Sequence, residues 1–171
     1  MSDFDKECLD LAIKTARETF EAGNYPVGAV LALDNKILGA ASDTGKATKN
    51  YINHAEAQLF RDNAHLLLDN GVPLGAITIY STLEPCLMCL GTAVMCKTSR
   101  IIYIQTDPHG GACGISRKYL GNRYQQTWPE IIKTEYSNEP KDMIIQYLQD
   151  QIERGIRVEW SKKFLEQIIA S

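Results

Sequence analysis

Two short clusters hold the side chains best able to do chemistry together, His54-Ala55-Glu56 and Pro85-Cys86-Leu87-Met88-Cys89. On a helix, cysteines three positions apart put both sulfurs on one face, within reach of a single metal ion. A helix N-terminus also favours the thiolate, because its unpaired amides and dipole stabilise negative charge. Zinc takes sulfur and nitrogen ligands in a tetrahedron. His54, Cys86 and Cys89 are therefore a candidate ligand set for one Zn2+ per chain, with the fourth position left to water. Three ligands plus water is a catalytic pattern. A structural site wants a fourth protein ligand, and the sequence has no second C-x-x-C. Taken alone, Cys86 and Cys89 would also suit a redox dithiol or half of a structural zinc site. A solitary histidine is more often a satisfied core or surface residue. The joint pattern favours the metal.

Glu56 poses a geometric problem. Residues i and i+2 inside a helix point about 200° apart, so His54 and Glu56 share one site only if the helix begins at or immediately before His54. That start is expected here.

The elements that must position these groups follow from periodicity. Leu9, Ala12, Ile13, Ala16 and Phe20 recur at helical spacing, predicting an amphipathic helix over 5–21 that ends at Gly23-Asn24. Apolar runs at 27–33 and 36–41, separated by Asp34-Asn35, predict a hairpin. Residues 42–52 read as a polar loop, 53–69 as a helix stopped by Asn70-Gly71, and 76–80 as a buried strand broken by Leu83-Glu84-Pro85. A helix over 86–96, strands at 100–105 and 130–135, and helices at 141–153 and 159–170 complete the order. Such an alternation predicts helices packed on a central sheet.

Bulk properties narrow the function classes. A chain of 171 residues fits one domain, and 44% hydrophobic and 23% charged residues are ordinary for a globular protein. No apolar stretch approaches membrane-spanning length, and Met1-Ser2-Asp3-Phe4-Asp5-Lys6-Glu7 does not resemble a secretory signal. Five cysteines are a poor match to a disulfide framework, so the cytoplasm is the expected compartment, with no membrane partner. Residues 1–116 carry 9 basic and 13 acidic residues and 117–171 carry 9 and 8, without the basic stripe of a general nucleic-acid binder.

His-x-Glu followed by Pro-Cys-x-x-Cys is the signature of zinc nucleobase deaminases. The wider sequence resembles the bacterial tRNA adenosine deaminase family of the cytidine-deaminase-like superfamily. Pro26-Val27-Gly28-Ala29-Val30, His54-Ala55-Glu56-Ala57, Thr82-Leu83-Glu84-Pro85-Cys86-Leu87-Met88-Cys89, Arg100-Ile101, Asp107, Gly111-Ala112 and Gly114 carry the likeness over roughly 5–116. It implies a three-layer α/β/α sandwich with a central mixed sheet of about five strands, and a homodimer. It also implies hydrolytic removal of an exocyclic amino group from a nucleobase-containing substrate, in tRNA or in a small molecule. Glu56 would be the proton shuttle, and Asp43, Glu84, Pro85 and Asp107 would contact substrate. A non-catalytic zinc scaffold and a thiol-redox protein are the rivals from other classes.

Two departures from the family pattern bear on the substrate. The family places an asparagine ahead of H-x-E; Asp43 stands near that position, with Asn50 and Asn53 as alternatives. An ionised aspartate only accepts hydrogen bonds, whereas asparagine can also donate to a purine nitrogen. Beyond about residue 120 the chain departs altogether, ending in an extended helical region. There Trp160 and Phe164 would either cap a small substrate or, the blander and favoured reading, pack the last helix on the core. No ligand role is expected for His65 or His109, nor a reactive one for Cys113.

Overall fold

The computed structural model describes residues 1–67 and 76–171. Helix α1, Asp3–Glu21, starts in a capping box in which the Ser2 hydroxyl and the Asp5 carboxylate each accept the other's backbone amide. Its apolar stripe of Cys8, Leu9, Ala12 and Ile13 is buried against the sheet. Strands β1, Gly28–Leu33, and β2, Lys36–Ser42, form the expected hairpin. The turn between them takes Asp34 into the left-handed region at φ 51, which suits the twist of a two-residue loop. Strand β3, Ile77–Leu83, pairs antiparallel with β1 and parallel with β4, Arg100–Gln105, which pairs parallel with β5, Glu130–Lys133. The sheet order is β2-β1-β3-β4-β5.

Alternation along the central strands makes two apolar faces. Val30, Ala32, Tyr80, Ile102 and Ile104 face α1. Ala29, Leu31, Ile79, Ile101 and Tyr103 face the opposite layer, where α3, Ala55–Asp62, contributes Leu59 and Phe60, and α5, Leu87–Met95, contributes Leu90, Ala93 and Val94. Each of the Val, Leu, Ile and Phe side chains, fully buried, stabilises the fold by about 1.5–3 kcal/mol. This is the mixed five-stranded α/β sandwich that the sequence implied. No helix of the described residues is long and apolar enough to cross a membrane.

Several boundaries differ from expectation. β3 continues three residues past Tyr80, because Ser81 and Thr82, polar and turn-like in sequence, are buried with partners: Ser81 Oγ donates to Glu56 and Thr82 Oγ1 accepts the Gly28 amide. The helix expected over 53–69 stops at Asp62, where the Asn63 side chain donates to the Leu59 carbonyl and ends the turn. A separate short helix, α4, covers Ala64–Leu67, and Asn70-Gly71 lies outside the described residues. The polar stretches contain short helices at α2, Gly45–Thr48, and α6, Asn122–Gln126. Beyond β5, α7, Glu139–Glu153, lies beside α1 through the Arg17–Glu139 ion pair at 2.7 Å. It forms a helical hairpin with α8, Val158–Ala170.

Candidate metal centre and catalytic cavity

The C-terminal ends of parallel strands β3 and β4 and the N-terminal end of β1 meet at one edge of the sheet, the usual ligand position in an open α/β sheet. Both chemical motifs sit there, each at a helix start. His54 is the N-cap of α3, with extended backbone (φ −72, ψ 154), and Cys86 is the N-cap of α5 (φ −71, ψ 173). That extended cap resolves the i, i+2 problem, since His54 is not part of the helix and can turn toward Glu56 in the first turn.

His54 Nδ1 lies 3.5 Å from Cys86 Sγ and 3.8 Å from Cys89 Sγ, and the three ligand atoms all fall within 4.8 Å of one another. A tetrahedral zinc with bonds of about 2.3 Å to sulfur and about 2.1 Å to nitrogen holds those atoms about 3.6 Å apart. The residues therefore fit the ion, and among the described residues they are the one such cluster. Electrostatics agree. The Cys86 thiol is pulled down to about 4, first by the hydrogen bond from the Cys89 thiol and then by His54, against its burial. His54 is pushed up to about 9, chiefly by Cys86. Cys89 moves upward because it shares its proton with Cys86. Opposite shifts on neighbouring donors fit a cluster that favours a positive charge between them, the place a metal ion takes on displacing the proton.

Glu56 is 4% exposed, and its Oε1 accepts a hydrogen bond from Ser81 Oγ at 2.8 Å. Burial raises its pKa, and the Ser81 bond opposes the rise. Glu56, His54 and Cys86 all line one cavity of about 600 Å³, while Cys89 is buried behind them. Asp43 and Glu84 also line it. Burial raises the Asp43 pKa, while the Gly45 amide, donated to Asp43 Oδ1 at 3.0 Å, works the other way. The Glu84 carboxylate is already engaged: Oε2 accepts the Asp107 amide and Oε1 the Cys113 amide. Asp107 lines the cavity too, its Oδ1 accepting the amides of His109 and Gly110. Pro85 is not among the lining residues, and its carbonyl accepts the Ala112 amide. Of the two alternative asparagines, Asn50 reaches the cavity, whereas Asn53 spends its amide on Thr44 and Thr48.

Much of the opposite wall comes from the C-terminal hairpin, where Trp160 and Phe164 are candidate caps and the other residues carry no expectation. Tyr147 and Gln151 of α7, with Ile156, Arg157, Trp160, Ser161 and Phe164 at and along α8, close the cavity. Three contacts tie this hairpin to the sheet edge. Tyr25 and Tyr147 meet edge-on at 5.3 Å, Arg157 donates to the Tyr51 hydroxyl at 3.1 Å, and Trp160 Nε1 donates to His109 Nε2 at 2.9 Å. Phe164 and Trp160 each do both jobs, packing on the core and lining the cavity. Spacing offered a signal: Tyr147 and Gln151 are four apart, as are Trp160 and Phe164, so each pair shares a helix face.

Known proteins of similar sequence and shape agree with this geometry. A family model for the cytidine and deoxycytidylate deaminase zinc-binding region matches residues 2–105. A tRNA-specific adenosine deaminase of Bacillus subtilis is 36% identical over 110 residues, 64% of this chain and 67% of that protein. A solved structure from work on A-to-I editing by tRNA:A34 deaminases superposes with a TM-score of 0.64 at 26% identity, covering 75% of this chain and 98% of that one. The guanine deaminase of Bacillus subtilis superposes at 0.54, also at 26% identity, covering 63% and 66%. Fold, metal triangle and sequence agree, and the chain belongs to the cytidine and deoxycytidylate deaminase zinc-binding family.

Proposed function

We propose that this protein is a zinc-dependent hydrolase that replaces the exocyclic amino group of a nucleobase with oxygen and releases ammonia. The observation that carries the reading is the convergence of His54, Cys86 and Glu56 on one cavity, with Cys89 completing the ligand triangle from behind. The chemistry a zinc ion supplies when bound there is Lewis acidity, which brings the ionisation of water toward neutral pH. Ser81 orients Glu56 through Oε1, and the carboxylate takes a proton from water and returns it to a ring nitrogen and then to the departing amine. Burial keeps that carboxylate a stronger base than a solvated one. Glu84 acts as a positioning residue, holding the 107–113 loop through two amides. Asp43, exposed to the cavity at the same end as His54, is assigned to substrate contact, as is Asp107, whereas Pro85 lies outside the cavity lining.

Relatives act on adenosine in tRNA, as their names state, and sequence likeness favours that substrate. The wall supplied by α7 and α8 favours a small nucleobase compound. The odd set of free cysteines supports a reducing, cytoplasmic setting, and a homodimer remains part of the proposal. Ammonia release from zinc-loaded protein tests the chemistry, using free bases, nucleosides, nucleotides and a tRNA anticodon stem-loop. Glu56→Ala should keep stoichiometric zinc and lose turnover. Near-normal ammonia release by that variant removes the shuttle role.

A further inference from the structure

Three neutral polar side chains come together where α7 walls the cavity. Tyr147 and Gln151 are one turn apart on α7, which sets them on one helix face, and both line the cavity. Tyr25, just ahead of β1, lines it too and meets Tyr147 edge-on, with ring centroids 5.3 Å apart. The Val27 amide donates to the Tyr25 carbonyl at 2.8 Å, a three-residue turn that fixes Tyr25 at the entrance to the strand. The hydroxyls of Tyr51, Tyr80 and Tyr136 are each hydrogen-bonded to protein. Among the described residues those of Tyr25 and Tyr147 are not. Gln151 is 4% exposed, yet its side chain makes only a 3.4 Å contact from Nε2 to Asp150, and its Oε1 accepts nothing from the described residues. Buried tyrosine hydroxyls usually find a partner, and a buried amide left unpaired is costly. Burial, then the Asp107 and Asp43 carboxylates, hold the Tyr25 pKa well above its ordinary value. Burial and Asp43 raise that of Tyr147 against the pull of Arg157. Both phenols therefore stay protonated, with a proton to donate. Asp43 also lies close enough to His54 for each to shift the other, so this polar face adjoins the metal triangle.

We propose that Tyr25, Tyr147 and Gln151 are specificity-determining residues that read the edge of the substrate ring away from the reacting amine, the two phenols donating to an acceptor atom of the ring and the Gln151 amide pairing beside them. The proposal rests on the deaminase reading, which puts the amine at the metal. A planar base held there by its amine turns its far edge toward α7 across the cavity. Donors fixed in place and left without a protein partner reject a ring that lacks the acceptor, because that ring leaves them unpaired in a site closed to water. The matched family region ends at residue 105, so Tyr25 lies within it and Tyr147 and Gln151 lie beyond it. The discrimination they supply is a property of this chain's own C-terminal hairpin.

The test reads turnover on the zinc-loaded full chain with adenine, guanine, cytosine, their ribonucleosides and an anticodon stem-loop, and carries the best of these into the variants. Tyr25→Phe and Tyr147→Phe each remove one hydroxyl and keep the ring. Each should raise KM by about three- to ten-fold, the scale of one hydrogen bond. kcat should stay within about two-fold, the pattern of lost binding rather than lost chemistry. Gln151→Met should give the same split. Zinc content and thermal midpoint should not fall in the tyrosine variants, because no protein group loses a partner. Tyr124→Phe, on α6 and outside the cavity lining, should change neither constant. Calorimetry on the Glu56→Ala protein compares guanine with 2-aminopurine, cytosine with 4-aminopyrimidine and adenine with 7-deazaadenine. The second compound of each pair lacks a ring oxo oxygen or, for adenine, N7. At least one acceptor-bearing base should bind more tightly than its analogue, and Tyr25→Phe with Tyr147→Phe should erase the difference. Unchanged KM, a fall confined to kcat, a lowered midpoint in the tyrosine variants, or an acceptor preference that survives them overturns the proposal. Absence of ammonia from every compound instead removes the deaminase reading, and the calorimetric pairs still judge the three residues.

Discussion

Ser81 Oγ, in the middle of the sheet, donates a 2.8 Å hydrogen bond to Glu56 Oε1, in the first turn of α3. Ser81 is 0% exposed, so the bond is made away from water. It holds one of the two Glu56 carboxylate oxygens in place. Ser81→Ala removes the donor without touching a metal ligand. It should lower kcat by about ten-fold, the scale of a general acid–base group left poorly oriented. Zinc content, measured by elemental analysis, should stay at one per chain. A variant with unchanged kcat would show that Glu56 is oriented by something else.

Removing the metal should affect stability as well as activity, because the triangle joins α3 to α5 across the cavity floor. A ligand that binds only the folded state stabilises it by about 4 kcal/mol at a thousand times its Kd. Chelation should therefore lower the thermal midpoint of the full chain, and added zinc should restore it. Cys86→Ser should bind zinc substoichiometrically and show little response to chelator. A midpoint indifferent to both treatments in the unaltered chain argues against a bound ion.

Gly111 packs against the loop that Glu84 organises. A Cβ built there lies 2.5 Å from the Glu84 carboxylate and 2.6 Å from the Asp107 carbonyl. Gly111→Ala should destabilise the fold by about 1–3 kcal/mol, the cost of overpacking, seen as a lower urea midpoint. kcat/KM should fall as well, because the displaced loop carries Asp107 and His109 into the cavity wall. Gly114→Ala, with nothing within 4 Å of its Cβ, is the matched control.

The pH dependence of stability should carry a signature from Asp5, far from the metal. Burial pushes its pKa up, but the Ser2 amide, the Tyr80 and Ser2 hydroxyls and the Arg100 charge together hold it below 3.8. A depressed carboxylate pKa stabilises the fold above the unfolded value, and that contribution disappears as pH falls through the folded value. Urea midpoints of the unaltered chain and of Asp5→Asn should differ most near neutrality. The gap should narrow from about pH 4 downward, where the unfolded carboxylate begins to bind protons. A gap constant down to pH 2 would place the Asp5 contribution elsewhere.

The period of three to four in α1, the alternation in β1 and β4, and the two metal motifs are local patterns. Each could be read because burial of one face leaves a regular trace along the chain. Where local chemistry and tertiary pairing disagreed, the sequence misled. Ser81 and Thr82 look like the end of a strand, yet buried partners keep them in it. Asn63 looks compatible with a continuing helix, yet its side chain closes the turn onto Leu59.

What the sequence determined by itself was the ligand set and the order of the longer elements, since both depend on residue type and on spacings of a few positions. The tertiary structure alone decided how the cavity is closed. Tyr51 meets Arg157 and His109 meets Trp160 across long stretches of chain. Helical periodicity shows that α7 and α8 have a face to bury, but not which surface receives it. That choice depends on how distant elements fit together, and it brings Tyr25, Tyr147 and Gln151 to a single cavity.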